Sequence, residues 1–62
     1  MMKAYDSLKA ALIEARSQER ETGERRYVVY SVADGGYVID SRMPLCGGIE
    51  WYSADGIKRG AR

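Results

Sequence analysis

The side chains through which this chain could do chemistry are one thiol and nine carboxylates, with no imidazole among them. Cys46 is the only cysteine, and there is no histidine. A nucleophilic thiol needs a base beside it, and imidazole is the usual one. Nothing in the stretch Leu45-Cys46-Gly47-Gly48 activates the sulfur, so Cys46 reads as a small apolar filler of a loop. It has no disulfide partner, and one thiol without histidine builds no zinc or haem site within a single chain. The carboxylates are scattered. Asp34 and Asp55 each precede a glycine, a turn position where Asp serves local hydrogen bonding. Asp40 and Glu50 are expected on one sheet face, where without a pocket they read as solvated. The glycine pairs 35–36 and 47–48 are followed by strand patterns, whereas a phosphate cradle needs a helix to begin there. No catalytic residue, metal or cofactor is expected, and the chain does not read as an enzyme.

These groups are carried by 62 residues with a net charge of +1, of which 45% are hydrophobic and 31% charged. Such a composition folds rather than staying disordered. The length makes 1–62 a single small domain whose core is marginal. No apolar run approaches the roughly 20 residues that span a bilayer, and no signal-peptide core is present. The expected location is the cytoplasm.

From 5 to 22 the pattern is helical. Tyr5, Leu8, Leu12 and Ala15 recur at spacings of three and four, with Ala11 beside them, and draw one apolar stripe. Asp6 or Ser7 can cap the start, and Gly23 suits the left-handed residue that ends a helix. The polar second half, with Arg16, Glu19, Arg20, Glu21 and Glu24, is expected to project beyond the sheet or fray.

At Arg25 the composition turns β-branched and aromatic. Residues 26–33 and 37–41 read as two strands, with Asp34-Gly35 as a two-residue hairpin turn. That turn sets Val32 opposite Tyr37, Tyr30 opposite Ile39 and Val28 opposite Ser41 on one face. Tyr27, Val29, Ser31, Val38 and Asp40 fall on the other. Residues 42–48 read as a loop. A third strand, 49–53, is expected to turn Ile49 and Trp51 inward, with Glu50 and Tyr52 outward. After the turn 54–56, a short edge strand at 57–59 is possible. The expected fold is α+β: one N-terminal helix on a three-stranded, or with that edge four-stranded, antiparallel sheet at 26–59, in the order α-β-β-β. The expected core is Leu8, Leu12, Val28, Tyr30, Val32, Ile39, Ile49 and Trp51.

Two surfaces follow. A two-layer fold with one helix leaves the far face of its sheet uncovered. Tyr27, Val29, Val38 and Tyr52 would form a patch there, rimmed by Arg26, Arg42, Asp40 and Glu50, a composition suited to a protein partner. The same face and the marginal core favour a homodimer. In size, compactness and lack of catalytic equipment the chain is similar to the short accessory proteins of phages and mobile elements, anti-defence inhibitors among them. The resemblance implies action by covering a functional surface of a larger protein or ribonucleoprotein, and it transfers no residues. The expectation is therefore a non-catalytic binding module, an inhibitor or regulator of a larger complex. The alternative is an RNA- or single-strand-binding protein using Tyr27, Tyr52, Arg25, Arg26 and the basic tail Lys58, Arg59 and Arg62.

Overall fold

Ser7 begins the helix and Gly23 ends it. The computed structural model describes residues 3–44 and 49–60; Cys46, the glycine pair 47–48 and Arg62 lie outside them. Helix α1 spans Leu8–Thr22. The Ser7 hydroxyl oxygen accepts a bond from the Ala10 N–H at 3.1 Å, satisfying a donor that the first turn leaves free. Gly23, at φ 74°, donates its N–H back to the Glu19 carbonyl. Tyr5 is not helical, despite its spacing from Leu8, because its backbone pairs with Tyr37 instead.

The strands are β1 (Tyr27–Ser31), β2 (Gly36–Asp40), β3 (Trp51–Ser53) and β4 (Lys58–Gly60). They form one antiparallel sheet in the order β2-β1-β3-β4. β2 and β3 flank β1, each antiparallel to it, so they run parallel to each other. The fold is α+β, with the fourth strand formed.

The hairpin departs from the expected turn. Ser31 pairs with Gly36, leaving 32–35 as a four-residue loop. Its ends are tied by the Gly35 N–H to the Ser31 carbonyl at 3.0 Å and by the Ser31 hydroxyl to Asp34 at 2.7 Å. Val28 now faces Ile39, and Tyr30 faces Tyr37. The register has slipped by two residues, and an even slip leaves every side chain on its expected face. It does move Val32 into the loop, where it is 81% exposed.

The core is Ala11, Leu12, Ala15, Val28, Tyr52 and Ala54, with Tyr5, Leu8, Tyr37 and Ile39 packed against it. Three expectations are corrected here. Tyr30 lies on the helix side but is 42% exposed, its ring set edge-on against Tyr37. Ile49 is half-buried and outside the core. In β3 the phase is inverted: Val28 pairs with Tyr52, and Val29 with Trp51, so Tyr52 turns to the helix and Trp51 away. The polar end of α1 also differs, being docked rather than frayed. Arg16 Nε donates to the Ala54 carbonyl at 2.7 Å, the Arg26 N–H to Glu19 at 2.8 Å, and Arg26 Nε to Gln18 at 3.1 Å.

Candidate functional site

The sheet face turned away from α1 is built by alternation along three strands. β1 places Tyr27 and Val29 there, β2 places Val38 and Asp40, and β3 places Trp51 and Ser53. Cross-strand pairing makes one row of Val38, Val29 and Trp51, and a second of Asp40, Tyr27 and Ser53. Tyr27 and Trp51 are diagonal neighbours, their ring centroids 5.7 Å apart at 73°, the edge-to-face geometry that aromatic quadrupoles favour. Trp51 also needs the glycine beside it. A Cβ at Gly60, its partner in β4, would overlap the indole nitrogen, so the ring lies across the backbone of β4.

Polar groups surround the pair. Arg59 Nε donates to the Ser53 hydroxyl at 3.0 Å, and its guanidinium stands 3.7 Å from Asp55. Asp55 is held below its usual carboxylate range, first by the Ser53 hydroxyl and then by the Ile57 N–H that it accepts. Asp40 accepts the Arg42 N–H at 3.0 Å. Beyond Tyr27 and Ser53 the face runs into a cleft of about 250 Å³ between the end of α1 and the β3–β4 turn, lined also by Glu19, Glu24, Arg25 and Asp55.

Of the expected patch, Tyr27, Val29, Val38 and Asp40 share this face. Tyr27 and Val29 are half-buried, and Val38 is only 5% exposed. Arg42 is exposed just past β2. Three expected members are elsewhere. Tyr52 is buried beneath α1, where its hydroxyl donates to Glu50, so neither belongs to the outer face. That bond, then burial and the Glu50 charge, push the phenol up to about 12. Arg26 lies toward α1, held by Gln18 and 3.6 Å from Glu24, its side chain 16% exposed. Among the alternative set, Arg25, Lys58 and Arg59 are exposed.

Trp51, Ser53 and Gly60 are the residues of the face that sequence reasoning missed. The available signal was Ala54: a small residue two positions after Tyr52 shares its phase and is buried in the same core. Comparison with protein-family models, curated proteins and solved structures finds no match to this chain. Among the described residues no helix is long and apolar enough to cross a membrane.

Proposed function

We propose that this chain is a non-catalytic binding module that occupies a surface of a larger protein or ribonucleoprotein and so inhibits or regulates it. The observation that carries this reading is the Tyr27–Trp51 pair, seated on the sheet face that the helix does not cover. Aromatic anchors of this kind supply most of the desolvation energy of an interface, and Val29 between the strands extends their apolar surface. Arg59, Asp55, Asp40 and Arg42 form a mixed-charge rim that would set orientation and partner choice. A second copy of the chain is one occupant such a face can take. The site of action would be the cytoplasm, whose reducing conditions suit a chain with one thiol. The way of working matches the short accessory proteins of phages and mobile elements.

One observation favours a second reading. Trp51 joins Tyr27 on the outer face while Glu50 leaves it, which improves the surface for stacking unpaired bases. Arg25, Lys58 and Arg59 would then meet phosphates. Asp40 and Asp55 stay nearby and oppose this.

A pull-down from the native host with wild type and Tyr27→Ser side by side tests the choice. Tyr27 is half-buried on the sheet, so the variant is expected to keep its fold by circular dichroism. The expected result is a protein retained at moderate salt and lost, at least about tenfold, with Tyr27→Ser, as for an interface anchor. Recovery of nucleic acid that disappears at moderate salt would establish the second reading instead.

A further inference from the structure

The sheet has two outer strands, and they end it differently. β4 carries Lys58 and Arg59, both exposed, and short basic edges resist pairing with other chains. β2 carries Tyr37-Val38-Ile39, β-prone and apolar, with Asp40 as its one charge. Its edge is covered by the chain ahead of α1. The Tyr5 N–H donates to the Tyr37 carbonyl at 2.7 Å, and the Tyr37 N–H donates to the Tyr5 carbonyl at 3.0 Å. Lys3 packs its ammonium 5.1 Å from the centre of the Tyr5 ring. Gly36 makes room for this strap, because a Cβ there would stand 2.5 Å from the Tyr5 carbonyl oxygen.

The closure is partial. Continuing the antiparallel ladder would set Lys3 against Ile39, yet among the described residues no backbone bond joins them. Tyr30 bonds toward β3, so alternation turns Val29 and its partner Val38 toward each other, and the N–H and C=O of Tyr37 and Ile39 outward. The strap uses the Tyr37 groups and, among the described residues, leaves those of Ile39 open.

We propose that the β2 edge is a self-pairing strand held closed by the strap at residues 3–6, and that its release lets two copies join β2 to β2. The register follows from symmetry. A two-fold axis through Val38 sets Tyr37 of each copy opposite Ile39 of the other, and both residues point their backbone groups across the axis. Each pair then exchanges two N–H···O=C bonds, including those the strap had occupied. The apolar side chains of Tyr37 and Ile39 meet on the helix side, and Asp40 falls opposite Gly36, so no like charges face each other. The same operation on β4 would set Arg59 against Arg59. Charge therefore assigns self-pairing to β2 alone. This edge is separate from the Tyr27–Trp51 face and does not rest on the reading given to that face.

Gly36→Ala tests the strap, since its methyl group must displace the Tyr5 carbonyl. In the wild type the Tyr37 amide is expected to be protected from hydrogen exchange and the Ile39 amide open. Folded Gly36→Ala is expected to double its sedimenting mass as concentration rises and to gain protection at Ile39. Adding Ile39→Pro, which removes the outward N–H and also the core contact of the Ile39 side chain, should restore the monomer in a chain that circular dichroism shows still folded. A folded Gly36→Ala that stays monomeric overturns the proposal, as does a dimer indifferent to Ile39→Pro. If circular dichroism shows Gly36→Ala unfolded, Tyr5→Pro, which deletes the strap's donor, is judged by the same outcomes. If both unfold, the wild type decides: Ile39 protection that rises with concentration supports self-pairing, and protection independent of concentration refutes it.

Discussion

Replacing Tyr52 by alanine is expected to unfold most of the chain at 25 °C and neutral pH. Tyr52 is 9% exposed and packs with Leu12, Val28 and Ala54 in the small core beneath α1. Truncating a buried aromatic typically costs about 3–5 kcal/mol, while a core of this size rarely supplies more than that in total. Trp51→Ala removes the larger side chain, yet from the half-covered outer face, and is expected to leave a folded protein with a lower urea midpoint. Urea denaturation followed by circular dichroism checks both. A Trp51→Ala chain less stable than Tyr52→Ala would contradict the phase of β3. Tyr52→Phe separates ring from hydroxyl: it keeps the packing and leaves Glu50 without its donor, at a cost of about 1 kcal/mol. The hydroxyl also makes stability depend on pH. The folded phenol titrates at about 12 against 10.0 when unperturbed, so the folded state favours the neutral form. Its contribution is complete below pH 10.0 and is lost as pH rises through about 12. Over that window wild type should lose its advantage over Tyr52→Phe, and an unchanged gap would show that the phenol is not held by Glu50.

What could be read beforehand follows the strength of each local signal. The helix was legible because four apolar positions agree with one period and both ends carry capping residues. Its start was not, because Tyr5 satisfies the helical spacing and a strand bridge equally well, and only the proximity of Tyr37 decides. The hairpin faces were legible because alternation over five residues in each strand survives any even slip. The exact turn was not, since the Ser31–Asp34 hydrogen bond favours the four-residue loop by a contact that the Asp-Gly pair does not reveal. β3 is the hardest case. With three residues, two of them aromatic, either phase buries one large ring, and pairing with β1 settles it. The candidate site inherits these limits. Tyr27, Val29, Val38 and Asp40 were placed together because they lie on the long hairpin. Tyr52 and Trp51 were exchanged because they lie on the short strand.

Ala15→Asp is the second substitution expected to abolish folding, and it probes how closely the helix sits on the sheet. Ala11 and Ala15 are both fully buried, and Leu12 is the one large side chain between them. Methyl groups at these two positions let the helix backbone approach β1 and β2, and Val28 of β1 is wholly excluded from water. No buried polar or charged residue lies among the described residues to receive a carboxylate. An aspartate at 15 would have to remain ionised without a partner or take up a proton, and either costs several kcal/mol. Ile13→Asp is the matched control. Ile13 is 55% exposed, on the same helix and two residues away, so the same side chain there should change stability by no more than about 0.5 kcal/mol. Thermal melts of the two variants separate a face effect from a propensity effect, because both introduce the same weak helix former. Equal destabilisation would mean that the helix is held by its intrinsic preference. A folded Ile13→Asp beside an unfolded Ala15→Asp would mean that packing of one narrow, small-residue stripe holds it.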